Sequence, residues 1–392
     1  MTATLSISEY AVNDFFQTRA TEGCQTLAAL AECVPPLAEP DDDDLFEELT
    51  RTIHHMLDGC ELVEKAIGNN TQLLSETKAL FREAIRPWFE QSWFMHRATV
   101  KPRGYPGDFE TLIAIYDGRI KSRGFGGYLD RYFLGTDLGR AVPARLRAVK
   151  EFLCQFTTES PGLLGSRVTI SPSTLPCSPA HVSKQTASGG LSILNVACGP
   201  GREYDEEFFR SCGRAGITVV DTDDDALAAT RLRFVGTRGD GVHLQCVKYS
   251  ALKMTSPERN IALFGRPDLI YSVGLCDYIP DRYLIKILKG WRETVAENGI
   301  VYVAFKDVAR YRPSVYQWLV DWNFYGRTEA DCVDLMRQAG FLQESLQVAR
   351  DETGVIINFI AGNNPPAVRR EPQQVNADQL RQVQNPVIQV SL

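Results

Sequence analysis

The sequence is most informative first for what it withholds. In 392 residues there are five histidines, at 54, 55, 96, 181 and 243, and none stands in a metal-binding constellation such as an HExxH helix. Ten cysteines lie at 24, 33, 60, 154, 177, 198, 212, 246, 276 and 332, with no pair at the two-residue spacing of structural zinc or redox sites. They read as reduced, mostly packed thiols, and no metal is expected. No stretch reaches the roughly 18 apolar residues of a membrane helix, and the N-terminus lacks a basic region followed by an apolar core, so a cytoplasmic protein without a membrane span is expected. A basic surplus is also missing. The formal charge of -7 argues against a chain whose main task is to hold a nucleic-acid backbone. No internal repeat is visible.

What remains is a globular composition, 44% hydrophobic and 23% charged, on a chain longer than one ordinary domain. Asp41 to Asp44 precede a helical pattern running from Leu45 to Ile67, where acidic residues favour a helix start. Further patterns run from Asn70 to Trp88 and from Leu138 to Leu153. Residues 1–157 therefore read as a mainly helical unit. Between the second and third patterns, Lys101-Pro-Arg-Gly-Tyr-Pro-Gly-Asp108 must form a shaped loop, because its prolines and glycines prevent a regular element. Residues 158–190 are dense in Ser, Thr and Pro and read as a linker or insertion. From 191 to 363, apolar runs alternate with amphipathic stretches, the signature of a parallel α/β sheet with helices on both faces. Strands are expected at 192–197, 217–221, 242–247, 268–273, 299–305, 342–349 and 354–361, the last two as an antiparallel hairpin at the sheet edge. A disordered tail is expected over 364–392.

One segment carries most of the chemistry. In Ile193-Leu-Asn-Val-Ala-Cys-Gly-Pro-Gly-Arg-Glu203 a buried strand runs into a Gly-x-Gly turn, where Gly199 and Gly201 let the backbone approach a nucleotide-like ligand. A dinucleotide site would want a third glycine where Tyr204 stands, so NAD is the weaker choice. Asp221 ends the next apolar run and can accept both hydroxyl hydrogens of a ribose, with Asp223 competing for that role. Cys198 reads as a small side chain fitting the turn rather than a nucleophile.

The Ala197-Cys-Gly-Pro-Gly201 turn resembles motif I of class I S-adenosylmethionine-dependent methyltransferases. Asp268-Leu-Ile-Tyr-Ser272 leading into Gly274, and Glu297-Asn-Gly-Ile-Val-Tyr-Val303, follow in the order of that class. The resemblance implies a Rossmann-like doubly wound sheet, mostly parallel with an antiparallel last strand, behind a helical N-terminal domain. It implies S-adenosylmethionine as cofactor, bound around Asn195, Ala197, Cys198, Gly199, Gly201, Glu203, Asp221, Thr222, Asp223, Ser272 and Gly274. Two departures stand out: Asn195 replaces the usual acid of motif I, and Ala197 replaces its first glycine. The methionine ammonium must then rely on Glu203, Asp277 or backbone carbonyls.

Lys101 to Asp108, Ala197 to Glu203, Gly274-Leu-Cys-Asp-Tyr278, and Trp318 to Trp322 followed by Tyr325-Gly-Arg-Thr328 together resemble the bacterial extracellular factor (3-hydroxypalmitic acid methyl ester) biosynthesis proteins. This implies a small-molecule acceptor, acyl or otherwise apolar, methylated at the carboxylate or hydroxyl of a hydroxy fatty acid or related metabolite. A carboxylate needs only an orienting cation, for which Arg103 and Arg327 are the candidates; a hydroxyl needs a base, for which Asp108, Asp277 and, in reserve, His96 are available. Tyr105 and Tyr278 would orient it, and Trp318, Trp322 and Phe324 either wall the acceptor pocket or pack their helix. The competing functions are an NAD-dependent oxidoreductase and a non-catalytic module that binds S-adenosylmethionine.

Overall fold

In the computed structural model, residues 6–158, 190–235 and 241–363 are described. The linker expected over 158–190 and the tail expected over 364–392 lie outside the described residues, save Thr158 and Gly190.

The first half is helical: α1 (Ile7–Phe15), α2 (Thr21–Glu32), α3 (Asp43–Ile67), α4 (Thr71–Phe89), α5 (Trp93–Val100), α6 (Phe109–Tyr116), α7 (Gly124–Gly135) and α8 (Asp137–Thr158). Local chemistry sets the starts. The Asp42 side chain accepts from Leu45 N and opens α3, Asn70 accepts from Leu73 N to open α4, and Asp108 accepts from Thr111 N to open α6. In α3, Leu49, Ile53, Met56, Leu57, Cys60, Val63 and Ile67 are all buried, so the expected apolar stripe is the face turned to the core.

The second half is one seven-stranded sheet: β1 (Leu191–Val196), β2 (Ala215–Asp221), β3 (Val242–Lys248), β4 (Leu269–Ser272), β5 (Ile300–Lys306), β6 (Leu346–Arg350) and β7 (Ile356–Gly362). The order is β3-β2-β1-β4-β5-β7-β6, with the first five strands parallel and β7 antiparallel to both its neighbours. The fold is thus a doubly wound, mostly parallel sheet with an antiparallel last strand. The expected hairpin is present, Leu346 pairing with Ala361, and β6 forms the edge. Every residue of β5 is buried, as a central strand covered on both faces requires.

Helices α9 (Glu206–Ser211), α10 (Asp224–Arg233), α11 (Pro257–Phe264), α12 (Asp281–Thr294), α13 (Pro313–Val320) and α14 (Glu329–Gln338) complete the second half. Val149, Phe152 and Leu153 of α8, Phe208 of α9 and Leu227 of α10 pack on one face. Leu284, Ile287, Leu288 and Trp291 of α12 and Leu335 and Met336 of α14 pack on the other. Because β2 lies on one side of β1 and β4 on the other, a crevice opens at the carboxyl ends of β1 and β4, where ligands of such sheets bind.

The halves share apolar core. Leu138, Ala141 and Val142 of α8 belong to the helical core, while Val149, Phe152 and Leu153 of the same helix lie on the sheet. Arg145 stands at that changeover. Helix α13 returns to the helical core, where Trp318 is fully buried, its ring 5.8 Å from that of Phe81 and its Nε1 donating to Glu64 Oε2 at 2.8 Å. Trp318 is therefore a packing residue. No described helix is long and apolar enough to cross a membrane.

Candidate cofactor and acceptor site

A cavity of about 390 Å³ occupies the crevice, bounded by the turns after β1 to β5, by α6 and α8, and by the loop before α6. Its floor is the turn after β1, where Ala197, Gly199 and Gly201 have φ values of 58°, 55° and 56°. That left-handed conformation costs an alanine roughly 1 kcal/mol, which a glycine at position 197 would be spared. At Gly201 a side chain is excluded by space as well, since a Cβ there would stand 2.7 Å from Thr230 Cγ2. Thr230 Oγ1 donates to Gly199 O at 2.9 Å, and Gly199 N donates to Asp221 Oδ2 at 3.0 Å. Asp221 Oδ1 accepts from Asp223 N. One carboxylate at the end of β2 thus braces two turns while lining the cavity.

Glu203 lies deeper. Its Oε1 accepts from Asn195 Nδ2 and from the Tyr271 hydroxyl, both at 2.9 Å, and the Tyr271 and Tyr204 hydroxyls are 2.6 Å apart. Asn195 does not itself line the cavity; its amide holds a carboxylate that does. The carboxylate nearest position 195 in the cavity wall thus comes from eight residues later. Burial pushes the Glu203 and Asp221 carboxyls above the usual carboxylate range.

The sign of that shift has a consequence. A carboxyl with a raised folded-state pKa keeps its proton in the folded chain after the unfolded chain has lost it, so stability falls as pH rises through that interval. Glu203→Gln is expected to raise the melting temperature of the cofactor-free protein by a few degrees near neutral pH, with the gain vanishing at acid pH. Thermal denaturation across pH checks this, and a lower melting temperature near neutral pH would contradict it.

Two buried cations also line the cavity. Arg145 and Lys306 are 4% and 5% exposed. Arg145 Nε has no hydrogen-bond partner among the described residues, and its guanidinium lies against Gly274, where a Cβ would stand 3.3 Å from Nη1. Lys306 Nζ donates to Asp277 Oδ2 at 2.6 Å and sits 4.4 Å from the Phe324 ring centroid.

Of the residues expected from sequence, Tyr105, Ala197, Cys198, Gly199, Glu203, Asp221, Thr222, Gly274 and Tyr278 line the cavity. Burial pushes the Cys198 thiol up, away from nucleophilic use. Others act from behind it. Ser272 Oγ donates to Val196 O, tying β4 to β1, and Asp277 grips Lys306 through both its backbone N and Nζ. Asp223 caps α10 by accepting from Asp225 N.

Besides Asp277, the acceptor-site expectations need correction at four positions. Arg327 is buried against Asp281 and the carbonyls of Cys276 and Ile279, so its donors hold the segment after β4. Arg103 is committed to Asp223, Asp225 and Glu110 and lies outside the cavity lining, pinning its loop to the turn after β2. Asp108 caps α6 and pairs with Arg97. His96 is exposed on α5. The first three are held by nearby partners that the sequence does not disclose, and His96 is turned to solvent. Of the three aromatic residues considered as a wall, Trp322 lines the cavity, donating from Nε1 to the Tyr278 hydroxyl at 2.8 Å.

No family model and no curated protein matches this chain. Among solved structures it is similar to a possible exported protein of Bordetella parapertussis, with 17% identity over 66% of this chain and 80% of that one and a TM-score of 0.47. It is also similar to magnesium protoporphyrin IX methyltransferase of Synechocystis PCC 6803 with bound SAM, with 9% identity over 68% and 97% of the chains and a TM-score of 0.41. The N-methyltransferase NodS of Bradyrhizobium japonicum WM9 is 15% identical over 45% and 80%, with a TM-score of 0.32. These likenesses are too loose to assign a function, which rests instead on the cavity's own chemistry.

Proposed function

We propose that the chain is an S-adenosylmethionine-dependent methyltransferase acting on a small-molecule acceptor. The observation that carries this is the pairing, inside one cavity, of a diol-binding acid at the end of β2 with a buried acid and a buried guanidinium beside the turn after β1. Asp221 suits a ribose diol, with Tyr249, Ala251 and Leu252 beside it to take an apolar base. Glu203 and Arg145 suit the ammonium and carboxylate of an amino-acid head.

NAD fits less well, because its pyrophosphate over this turn would meet the buried Glu203 carboxyl. A non-catalytic module that binds S-adenosylmethionine would keep the same acid held by Asn195 and Tyr271, and turnover of any acceptor separates it from the enzyme.

When bound, the cofactor supplies a methyl already activated on a sulfonium, so the protein's task is alignment of the acceptor and exclusion of water. Tyr105, Phe109, Leu112, Tyr278 and Trp322 supply the apolar walls for that. They suit an acyl or aromatic acceptor, including the hydroxy fatty acid that the family resemblance implies, and a cytoplasmic setting belongs to the same reading. Mass spectrometry of cell extract incubated with the protein and methyl-labelled cofactor tests it: a labelled product one methylene heavier than an extract metabolite is expected, and its absence at any enzyme concentration would count against it.

A further inference from the structure

The residues expected to serve as acceptor base do not reach the cavity: His96 is exposed on α5, Asp108 caps α6, and Asp277 stands behind Lys306. Lys306 does reach it. Its side chain leaves the carboxyl end of β5 and lines the wall shared with Tyr278, Ile279 and Trp322. Its ammonium is 4.4 Å from the Phe324 centroid and 5.5 Å from that of Tyr278. The charged and titratable groups facing it are Asp277, Cys276 and Tyr278 from the segment after β4 and Arg145 from α8. We propose, on the methyltransferase reading above, that Lys306 is the catalytic base of the transfer and that the acceptor is a phenol.

Three observations support this. The first is charge. Asp277 already neutralises a protonated Lys306, so a localised carboxylate at this wall would meet a lysine that is already paired. A neutral hydroxyl acceptor carries no such cost.

The second is proton affinity. A phenol and a lysine both titrate near 10 to 10.4 when unperturbed, so proton transfer between them is nearly balanced, whereas the same transfer from an aliphatic alcohol is uphill. Burial, aided by repulsion from Arg145, pushes Lys306 toward its neutral form, and Asp277 opposes that while stabilising the ammonium once formed. The third is composition: Tyr105, Phe109, Tyr278 and Trp322 line the cavity with aromatic side chains, which suit an aromatic ring.

The step balances. The phenol O–H proton passes to neutral Lys306 Nζ as the oxygen takes the methyl; the sulfur–methyl bond breaks, its electron pair returns to sulfur, and the sulfonium leaves as a neutral thioether. The new ammonium is held by Asp277 Oδ2, in the 2.6 Å pair seen here.

The test uses the full chain, tritiated S-adenosylmethionine and a phenol series of rising acidity: para-methoxyphenol, phenol, para-cyanophenol and para-nitrophenol, with hexanoate and decanoate alongside. The wild type is expected to methylate the phenols and not the acids, with kcat for phenol rising as pH is raised. Lys306→Arg and Lys306→Met are expected to lose about 10²-fold or more of kcat on phenol and para-methoxyphenol. On para-nitrophenol, already ionised near neutral pH, they keep kcat within about tenfold, since no base is needed. S-Adenosylhomocysteine affinity within about threefold of wild type certifies that each variant is folded. An equal loss across the phenol series, transfer to the acids instead, or no phenol methylated overturns the proposal. Failure of the wild type to bind S-adenosylhomocysteine would instead remove the methyltransferase reading on which it rests.

Discussion

Asp221→Ala is expected to lower the affinity for S-adenosylhomocysteine by about 10²-fold or more. Hydrogen bonds to a charged group contribute about 1.5–3 kcal/mol each, and a ribose diol would make two. Every 1.4 kcal/mol is roughly tenfold in affinity, so the loss of both bonds reaches that range. The same carboxylate also accepts from Gly199 N and Asp223 N, so its removal loosens the turn that the ligand contacts. Asp221→Asn keeps one accepting oxygen and is expected to cost about tenfold. Isothermal titration reads both, and an Asp221→Ala variant that binds as wild type would remove Asp221 from the site.

Arg145→Met is the second large effect. It preserves bulk along α8 but deletes the buried guanidinium beside Gly274, leaving the ligand's carboxylate without its partner. S-Adenosylhomocysteine affinity is expected to fall by about 10- to 10²-fold, in line with loss of a charge-assisted contact in a dry site. Methylthioadenosine, which lacks the amino-acid head, should bind wild type and variant alike. A parallel loss for both ligands would show that Arg145 supports the fold rather than reading the head group.

Local pattern made much of the architecture legible. The stripe from Leu49 to Ile67 became the buried face of α3, and the apolar run Ile217 to Val220 ended, as expected, in an Asp221 aimed at the glycine turn. Helix α7 was not legible. Its Gly-Phe-Gly-Gly start argues against a helix, but a Cβ at Gly126 would stand 2.2 Å from Gln91 O, so close packing chose glycine over propensity.

The site was legible only where the chain turns on itself locally. Arg145 resembles any polar residue in the pattern from Val142 to Val149, and Lys306 resembles the polar end of a buried strand. Their importance comes from Gly274 and Asp277, which are distant in sequence and brought close by the order of β1, β4 and β5. The converse error has the same origin. Arg103 and Arg327 were attractive as free cations until folding supplied Asp223, Asp225 and Asp281.

The central claim is that this cavity holds S-adenosylmethionine through Asp221, Glu203 and Arg145. Isothermal titration of the full chain with S-adenosylhomocysteine, with NAD as the comparison, tests it most directly. One-site binding of S-adenosylhomocysteine with a Kd on the order of micromolar, and no heat from NAD, are expected. Binding of NAD in its place, or of neither, would contradict it.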